Sequence, residues 1–214
     1  MNIIKQASYN QNNFTIESRE HVFKGFIQVE KVSLRYRLFN QEKYSRTMAR
    51  ELIQRKEAAG VLLYSPTQQK IGLIEQFRIG AIDDVDSAWQ LEIIAGVLDG
   101  KESPESCIRR ESLEESGCEI DQLQHLFTFY PSAGACSEIF HLYAAATQLP
   151  EHGGIFGLEE EGENIQLHLI DYTDIPALLT NGRLKNAPVI MALQWLQMQI
   201  DTMKNVSGEG HASH

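Results

Sequence analysis

The stretch "AGVLDGKESPESCIRRESLEESGCEI", residues Ala95–Ile120, predicts a short helix rich in glutamate. Ser103 followed by Pro104 indicates the start of this helix, because a hydroxyl can cap free N–H groups and the fixed φ of proline suits the first turn. Gly117 indicates its end, since glycine readily adopts the left-handed conformation that terminates helices. The stretch therefore reads as a loop, a helix of about three turns and a second loop.

Three carboxylates crowd one face of this helix. Glu111, Glu114 and Glu115 stand at positions i, i+3 and i+4, and they lie near the helix C-terminus, where the helix dipole disfavours negative charge. Each like-charge pair costs about 0.2–0.5 kcal/mol. A solvated acidic face balanced by Arg109 and Arg110 is one interpretation. The other is a site for a divalent cation such as Mg²⁺ or Mn²⁺, because oxygen ligands suit these ions.

Composition limits the class of protein. The chain has 214 residues, of which 43% are hydrophobic and 22% charged, as is typical of one globular domain or a domain with an added arm. It contains no run of about 18 apolar residues and no secretion signal, so we expect a cytoplasmic protein without membrane contact. Its three cysteines, without a C-x-x-C pair, predict reduced thiols. A net charge of −10 and the lack of basic runs disfavour nucleic acid as a partner.

Hydrophobic patterning predicts a strand-rich chain with few helices, of α+β or layered α/β class. "SRTMARELIQRKE" (residues 45–57) reads as a helix by propensity. Two further helices are predicted near residues 173–181 and 187–203, where proline falls in the opening turn. The predicted strands are "VSLRYRL" (32–38), two within "AAGVLLYSPTQQKIGLIEQF" (58–77), "AWQLEII" (88–94), "LQHLFTFY" (123–130), "EIFHLYAAAT" (138–147) and "IQLHLID" (165–171).

The spacing of the glutamate stretch adds a specific signal. Seven fixed positions span 22 residues, in the order Gly96, Glu102, Arg110, Glu111, Glu114, Glu115 and Gly117. This pattern resembles the Nudix box over its whole length, although Ser112 and Cys118 occupy positions that are usually aliphatic. The resemblance implies an α/β/α sandwich with a mixed sheet, a loop-helix-loop metal platform, and hydrolysis of a nucleoside diphosphate linked to another group.

The resemblance extends to the ADP-ribose pyrophosphatases of this family. It is carried by "LIEQFRIGA", "WQLEIIAG", "YPSAGACSE" and "ALQWLQ", and it covers roughly residues 25–197. It implies a homodimer in which residues 1–56 form a strand-rich arm that exchanges between subunits. Residues 57–204 would then be the Nudix hydrolase domain, and residues 205–214 a flexible tail.

The resemblance also implies a metal site and a general base. The metal ligands would be the carbonyl of Ala95 and the carboxylates of Glu111, Glu115 and Glu163, with Glu114 as a neighbouring candidate. Two or three divalent ions, Mg²⁺ or alternatively Mn²⁺, would neutralise the diphosphate and lower the pKa of a water molecule. The general base falls on Glu161 within "GLEEEGEN". Its neighbours Glu159 and Glu160 are rivals, and a solvated acidic loop is the alternative for the whole segment.

Substrate-binding positions follow from the same resemblance. Arg78 would bind the diphosphate or ribose through its fork of donors, although a surface arginine at a strand end would look the same in the sequence. The other predicted substrate-binding residues are Phe26, Ile27, Arg50, Glu51, Arg55, Val97, Ser132, Ala133, Gly134 and Glu138.

The leading hypothesis is hydrolysis of ADP-ribose to AMP and ribose 5-phosphate. Another nucleoside diphosphate sugar, such as GDP-mannose or ADP-glucose, or the dinucleotide NADH, is the alternative. The group usually carries Ser-Pro-Gly where this chain has Ser132-Ala133-Gly134, which leaves the identity of the sugar open. A Nudix module that binds nucleotides without cleaving them is disfavoured because the box carboxylates are all present, and mRNA decapping is disfavoured by the lack of a basic surface.

Overall fold

The structure is a computed structural model that describes residues 7–39 and 41–208, without the side chains of Glu161 and of residues 204–208. The chain divides into two compact units. One contains the residues up to Lys56 together with Tyr130–Glu138, and the other contains Glu57–Phe129 and the residues from Ile139 onward. Among the described residues, no helix combines the length and the apolar character needed to cross a membrane.

The first unit is built on a three-stranded antiparallel sheet. Its strands are β1 (Phe14–Lys24), β2 (Gln28–Tyr36) and β3 (Met48–Gln54), in that order across the sheet. A tight hairpin joins β1 to β2, and every residue of β1 is exposed within the single chain. The edge strand of this sheet is therefore uncovered.

The helix predicted over residues 45–57 is wrong, because this segment forms β3. It pairs with β2 at seven successive positions, from Gln28 opposite Gln54 to Leu34 opposite Met48. On its other side, Ile53 exchanges backbone hydrogen bonds with the segment 130–138. Helix propensity is a weak preference of a fraction of a kcal/mol per residue, and two pairing partners outweigh it.

The second unit contains an eight-stranded mixed sheet. Strands β10, β11, β5, β4, β9 and β8 follow one another across it, while β6 pairs with β5 and β7 pairs with β4. Only β4 and β9 among these pairs run parallel. The strands are β4 (Ala58–Ser65), β5 (Lys70–Phe77), β6 (Trp89–Glu92), β7 (Ile94–Val97), β8 (Gln124–Phe129), β9 (Phe140–Ala146), β10 (Ile155–Phe156) and β11 (Ile165–Asp171).

Strand β4 is buried on both faces, which explains its almost continuous apolar sequence "AAGVLLY". Val61 and Leu63 face a core that includes residues of helix α1 (Pro104–Ser116). Leu62 faces the opposite core, which includes Leu193 of helix α3 (Ala187–Gly208). A mixed sheet with helices on both faces confirms the predicted α/β class.

The two C-terminal helices lie where the proline signals predict them. Helix α2 spans Ile175–Thr180, and α3 begins at Ala187 with proline in its first turn. Helix α3 continues to Gly208, so its backbone includes the first four residues of the predicted tail. Residues 209–214 of that tail lie outside the described residues.

Candidate active site

Helix α1 begins and ends where the sequence predicts. The Ser103 hydroxyl accepts a hydrogen bond from the backbone N–H of Ser106 at 3.2 Å, and proline occupies the first turn. Gly117 has φ of +68°, and its N–H donates to the carbonyl of Leu113 at 3.0 Å. These caps place the glutamates in the last two turns of a helix packed on the sheet.

The two unusual box positions are accommodated by hydrogen bonds. Ser112 is fully buried, and its hydroxyl donates to the carbonyl of Cys118 at 2.9 Å. Cys107 and Ile108 supply apolar contacts on the same face of α1. Burying a hydroxyl costs little when it has a partner, so a serine can replace the usual aliphatic residue.

Glu115 is the most deeply buried carboxylate of the cluster, with 2% of its surface exposed. Its Oε2 accepts a hydrogen bond from the backbone N–H of Ala95 at 3.2 Å. Burial, followed by the negative charge of Glu111, raises the pKa of Glu115 to about 8. The charge of Glu163 raises this pKa further, whereas the hydrogen bond from Ala95 and the charge of Arg78 lower it. These residues, far apart in the sequence, therefore share one electrostatic environment.

Glu111 lies against the glycine that opens the box. A Cβ atom added at Gly96 would stand 1.8 Å from Oε1 of Glu111, so a side chain here would displace this carboxylate from its position. Burial raises the pKa of Glu111; Arg110 opposes this shift, and the charges of Glu114 and Glu163 add to it. The close approach gives a physical reason for glycine at this position.

Arg110 partly offsets the repulsion between the like charges on this short helix. Its guanidinium contacts three carboxylates at once: Glu102 at 3.2 Å, Glu111 at 2.7 Å and Glu114 at 3.1 Å. The hydrogen bond to Glu102 is the largest cause of a raised pKa for Arg110, which stays positively charged. One positive charge cannot balance three carboxylates, and Glu115 is not among its partners.

The glutamate-rich loop after β10 docks onto α1. The N–H of Gly157 donates to the carbonyl of Glu114 at 3.3 Å. Glu163 then turns back toward the start of the loop, where its Oε2 accepts from the N–H of Leu158 at 3.1 Å. Although Glu163 lies about 50 residues from the helix in the chain, its charge acts on the box glutamates.

The predicted general base falls in a short 3₁₀ turn of this loop. The turn spans Glu159–Glu161, and Gly162 ends it with φ of +72°. The side chain of Glu161 lies outside the described part of the structure. The structure therefore does not distinguish Glu161 from Glu159 and Glu160 as the base. The role of Glu161 as a general base stays a prediction.

The carboxylate oxygens of the glutamates are suitable ligands for a metal ion, but the side chains do not form a complete coordination site. Within the described residues, no three acidic, histidine or cysteine side chains are grouped closely enough to hold an ion. Glu111, Glu115 and Glu163 nevertheless offer hard oxygen donors. Burial, with the added repulsion of neighbouring carboxylates, raises the pKa values of Glu111 and Glu115, and a divalent cation would lower them. These residues fit Mg²⁺ or Mn²⁺ better than a softer ion.

Arg78 is held by residues that the sequence analysis did not assign to the site. Its Nε and Nη2 contact Oε2 of Glu92 at 2.9 and 2.8 Å, and the side-chain amide of Asn186 donates to Oε1 of Glu92 at 2.8 Å. Val97, at the end of β7, is 40% exposed. The only sequence signal for this arrangement was a charged residue, Glu92, inside an apolar strand pattern.

The remaining predicted substrate residues belong to the first unit, where an ion pair joins two of them. Nε of Arg55 contacts Oε2 of Glu138 at 3.2 Å, and the N–H of Arg55 donates to the hydroxyl of Ser137 at 2.9 Å. Ile53 donates to the carbonyl of Ala135 at 2.8 Å. These contacts bring together segments separated by about 80 residues of chain.

The other arm residues are accessible in this unit. Phe26, at the tip of the hairpin, is 97% exposed, and Ile27 is 41% exposed. Arg50 and Glu51, consecutive residues of β3, are both exposed, and residues 132–134 are also exposed. The nine predicted residues of this unit remain predictions as substrate contacts.

A cavity of about 680 Å³ lies in the second unit away from the carboxylates. Tyr64, Tyr172 and Trp195 contribute to its wall, together with residues of α3. Tyr64 and Trp195 belong to the α3 side of the sheet, whereas the box glutamates are carried by the helix on the other side. None of the predicted site residues lines this cavity.

Comparison with known proteins places this arrangement in a family. A family model described as the NUDIX domain matches residues 54–193, which include the loop, helix α1 and the Glu163 loop. The chain belongs to the Nudix family, as the box predicts.

Within this family, the chain is a hydrolase similar to the ADP-ribose pyrophosphatases. It is 33% identical to the ADP-ribose pyrophosphatase of Escherichia coli K12 over 93% of this chain and 95% of that protein. The ADP-ribose pyrophosphatase of Haemophilus influenzae is 32% identical over 89% and 88%. A GDP-mannose pyrophosphatase of Yersinia pestis is 37% identical over 70% and 75%. A solved structure of an ADP compounds hydrolase shares the fold, with a TM-score of 0.66 at 17% identity over 92% and 98%.

Replacing Glu115 with Gln should stabilise the metal-free protein. Between about pH 4.5 and pH 8 the unfolded chain loses the Glu115 proton while the folded protein keeps it, so the wild-type free energy of unfolding falls as pH rises. The Gln side chain does not titrate, so the free energy of unfolding of the variant does not fall in this way. Above pH 8 it should exceed that of the wild type by about 1–3 kcal/mol. Urea unfolding in EDTA at several pH values measures it.

Glu114→Gln is the matched control for this experiment. Glu114 is more exposed and pairs with Arg110, so its loss should bring no gain in stability. Equal stability of Glu115→Gln and wild type across the whole pH range would contradict the buried, repelled state of Glu115.

Proposed function

We propose that the protein hydrolyses ADP-ribose to AMP and ribose 5-phosphate, using Mg²⁺ or alternatively Mn²⁺. The observation that carries this proposal is the extent of the alignment. Similarity to ADP-ribose pyrophosphatases spans 93% of the chain, whereas similarity to GDP-mannose pyrophosphatases spans 70%. Because the longer match covers 199 residues, most of the N-terminal arm aligns with the ADP-ribose pyrophosphatases. Several of the predicted substrate residues lie in this arm.

The chain's own residues divide the work between binding and proton transfer. Glu111, Glu115, Glu163 and the carbonyl of Ala95 would hold two or three ions, and Glu114 stands beside them. When bound, these ions neutralise the diphosphate oxygens and lower the pKa of a water molecule. Arg78 binds the diphosphate or ribose through its planar guanidinium, which matches phosphate geometry.

Proton transfer is assigned to Glu161. A water oxygen forms a bond to one phosphorus of the diphosphate bridge, and Glu161 accepts the proton that this water loses. The bond between that phosphorus and the bridging oxygen breaks, and the bridging oxygen leaves on the other phosphate. The products AMP and ribose 5-phosphate together contain the atoms of ADP-ribose and one water.

GDP-mannose is the second candidate substrate, and a specific relative supports it. The Yersinia pestis protein named GDP-mannose pyrophosphatase has the higher identity, 37%, over the region that aligns. The chain also has Ala133 where the ADP-ribose group usually carries proline. ADP-glucose and NADH stay as further alternatives on chemistry alone.

We further propose that the protein is a cytoplasmic homodimer in which the arm, residues 1–56, packs against a second copy. The support is the exposed face of β1, where Phe14, Ile16, Val22 and Phe23 are 38–58% exposed. An uncovered edge strand with apolar side chains tends to pair with another chain. The three cysteines are free thiols, as is usual in the reducing cytoplasm.

A substrate panel with Mg²⁺ tests the activity. We expect release of AMP from ADP-ribose at the highest kcat/KM, and at least tenfold lower values for GDP-mannose, ADP-glucose and NADH. EDTA should abolish the reaction, and Mn²⁺ should restore it. Cleavage of GDP-mannose with ADP-ribose left intact would move the assignment to the second candidate.

Glu161→Gln tests the general base. Because Gln cannot accept the proton, kcat should fall by about 10²–10⁴-fold while the KM for ADP-ribose changes little. Glu159→Gln and Glu160→Gln are neighbouring controls in the same turn and should keep wild-type kcat. If one of these controls loses activity and Glu161→Gln does not, the base is the neighbour.

Light scattering after gel filtration tests the dimer. The expected mass is twice the 24.2 kDa of one chain. Val22→Lys together with Phe23→Lys places charges on the exposed strand and should shift the mass toward one chain. A measured wild-type mass of 24.2 kDa, that of a single chain, would contradict the proposed assembly.

A further inference from the structure

A buried carboxylate lies directly behind Arg78. The side chain of Glu92 is only 8% exposed, although it is charged and belongs to a strand of the second unit. Its Oε2 accepts a hydrogen bond from Nε of Arg78 at 2.9 Å and forms an ion pair with Nη2 of Arg78 at 2.8 Å. A carboxylate is rarely buried without full pairing, so these bonds determine where the guanidinium lies.

The second oxygen of Glu92 is also occupied. The side-chain amide of Asn186, the residue before α3, donates to Oε1 at 2.8 Å. With Oε1 held by Asn186 and Oε2 held by Arg78, the carboxylate plane has little freedom to rotate. Asn186 therefore orients Glu92, and Glu92 in turn orients Arg78.

The segment that carries Asn186 also holds the loop that follows Arg78. Nζ of Lys185 contacts the carboxylate of Asp84 at 2.6 and 2.7 Å. Nη1 of Arg183 donates to the carbonyl of Trp89 at 3.2 Å. Three nearby side chains of the α2–α3 connection thus reach residues 78–92, which limits the movement of this loop.

We propose that Glu92, supported by Asn186, is a positioning residue that aims the Arg78 guanidinium at the bound nucleotide. This inference rests on the proposed function, because Arg78 is a substrate contact only if a diphosphate binds at the carboxylates. Glu92 acts through Arg78 and touches no substrate itself.

Two observations support this direction of the guanidinium. The positive charge of Arg78 acts on Glu115, so the group lies within electrostatic range of the metal platform. Glu92 uses only Nε and Nη2, and among the described residues no contact to Nη1 occurs. One edge of the guanidinium is therefore anchored, and the other is available for a phosphate or ribose oxygen.

The first test reads the position of Arg78 without any substrate. In ¹H–¹⁵N spectra of the full-length protein, the Nε–H signal of Arg78 is identified by its loss in Arg78→Lys. We expect Glu92→Gln to shift or broaden this signal, and Asn186→Ser to shift it less. Serine keeps a residue type that suits a helix start but is too short to reach Glu92. An unchanged signal in Glu92→Gln would overturn the proposal.

Glu75→Gln is the matched control for both tests. Glu75 lies on neighbouring strand β5, is 28% exposed as a side chain, and pairs with Arg183 and His168. It makes no contact with Arg78 among the described residues. Its substitution removes a nearby carboxylate of the same sheet, and it should leave the Arg78 signal and the kinetic constants unchanged.

The second test is a double-mutant cycle on ADP-ribose hydrolysis. Glu92→Gln should lower kcat/KM about tenfold, mainly through a higher KM. In an Arg78→Ala background, the same substitution should cost less than about twofold, because the residue it positions is gone. Independent, multiplicative losses would show that Glu92 acts on the fold in general and would overturn the proposal.

The two tests separate this inference from the proposed function. If the wild-type protein cleaves none of the nucleotides in the panel, the proposed function fails, while the resonance experiment still decides whether Glu92 positions Arg78. If hydrolysis occurs and the Nε–H signal of Arg78 is the same in Glu92→Gln as in the wild type, only the positioning role fails.

Discussion

The candidate active site is arranged around one carboxylate that is buried beside other carboxylates. Glu115 is buried against the backbone of Ala95, and the charges of Glu111 and Glu163 act on it. This arrangement disfavours the ionised form and raises the pKa of Glu115 to about 8. A protein gains nothing in stability from such a group, which supports the proposed role of Glu115 as a ligand of a divalent cation.

The rest of the box serves this constraint. Arg110 pairs with Glu102, Glu111 and Glu114, which limits the repulsion along the helix without neutralising Glu115. Gly96 leaves space for the carboxylate of Glu111, which any side chain at that position would fill. Each of these residues has a physical task, and the tasks together account for the spacing of the motif better than helix formation alone.

The predicted binding residues outside the box share a different feature, in which one polar side chain is held in place by another. Glu92 and Asn186 hold Arg78 within the second unit. In the first unit, Arg55 pairs with Glu138. A long charged side chain loses conformational freedom when it binds a ligand, and prior anchoring by a carboxylate reduces that loss. The partners in these contacts lie 14 to 94 residues apart in the chain, beyond the spacing of a helix turn or a strand repeat, which is why local patterns do not reveal them.

The amino-acid sequence by itself determined the family, the limits of α1 and most strands of the mixed sheet, because caps, apolar runs and fixed spacing are local properties. It did not determine the strand at residues 48–54, where pairing on both sides outweighs a weak helix preference. It also did not reveal the partners of Arg78 or the burial of Glu115. Those features arise only when distant segments meet, since burial and charge interactions depend on distance in space and not along the chain.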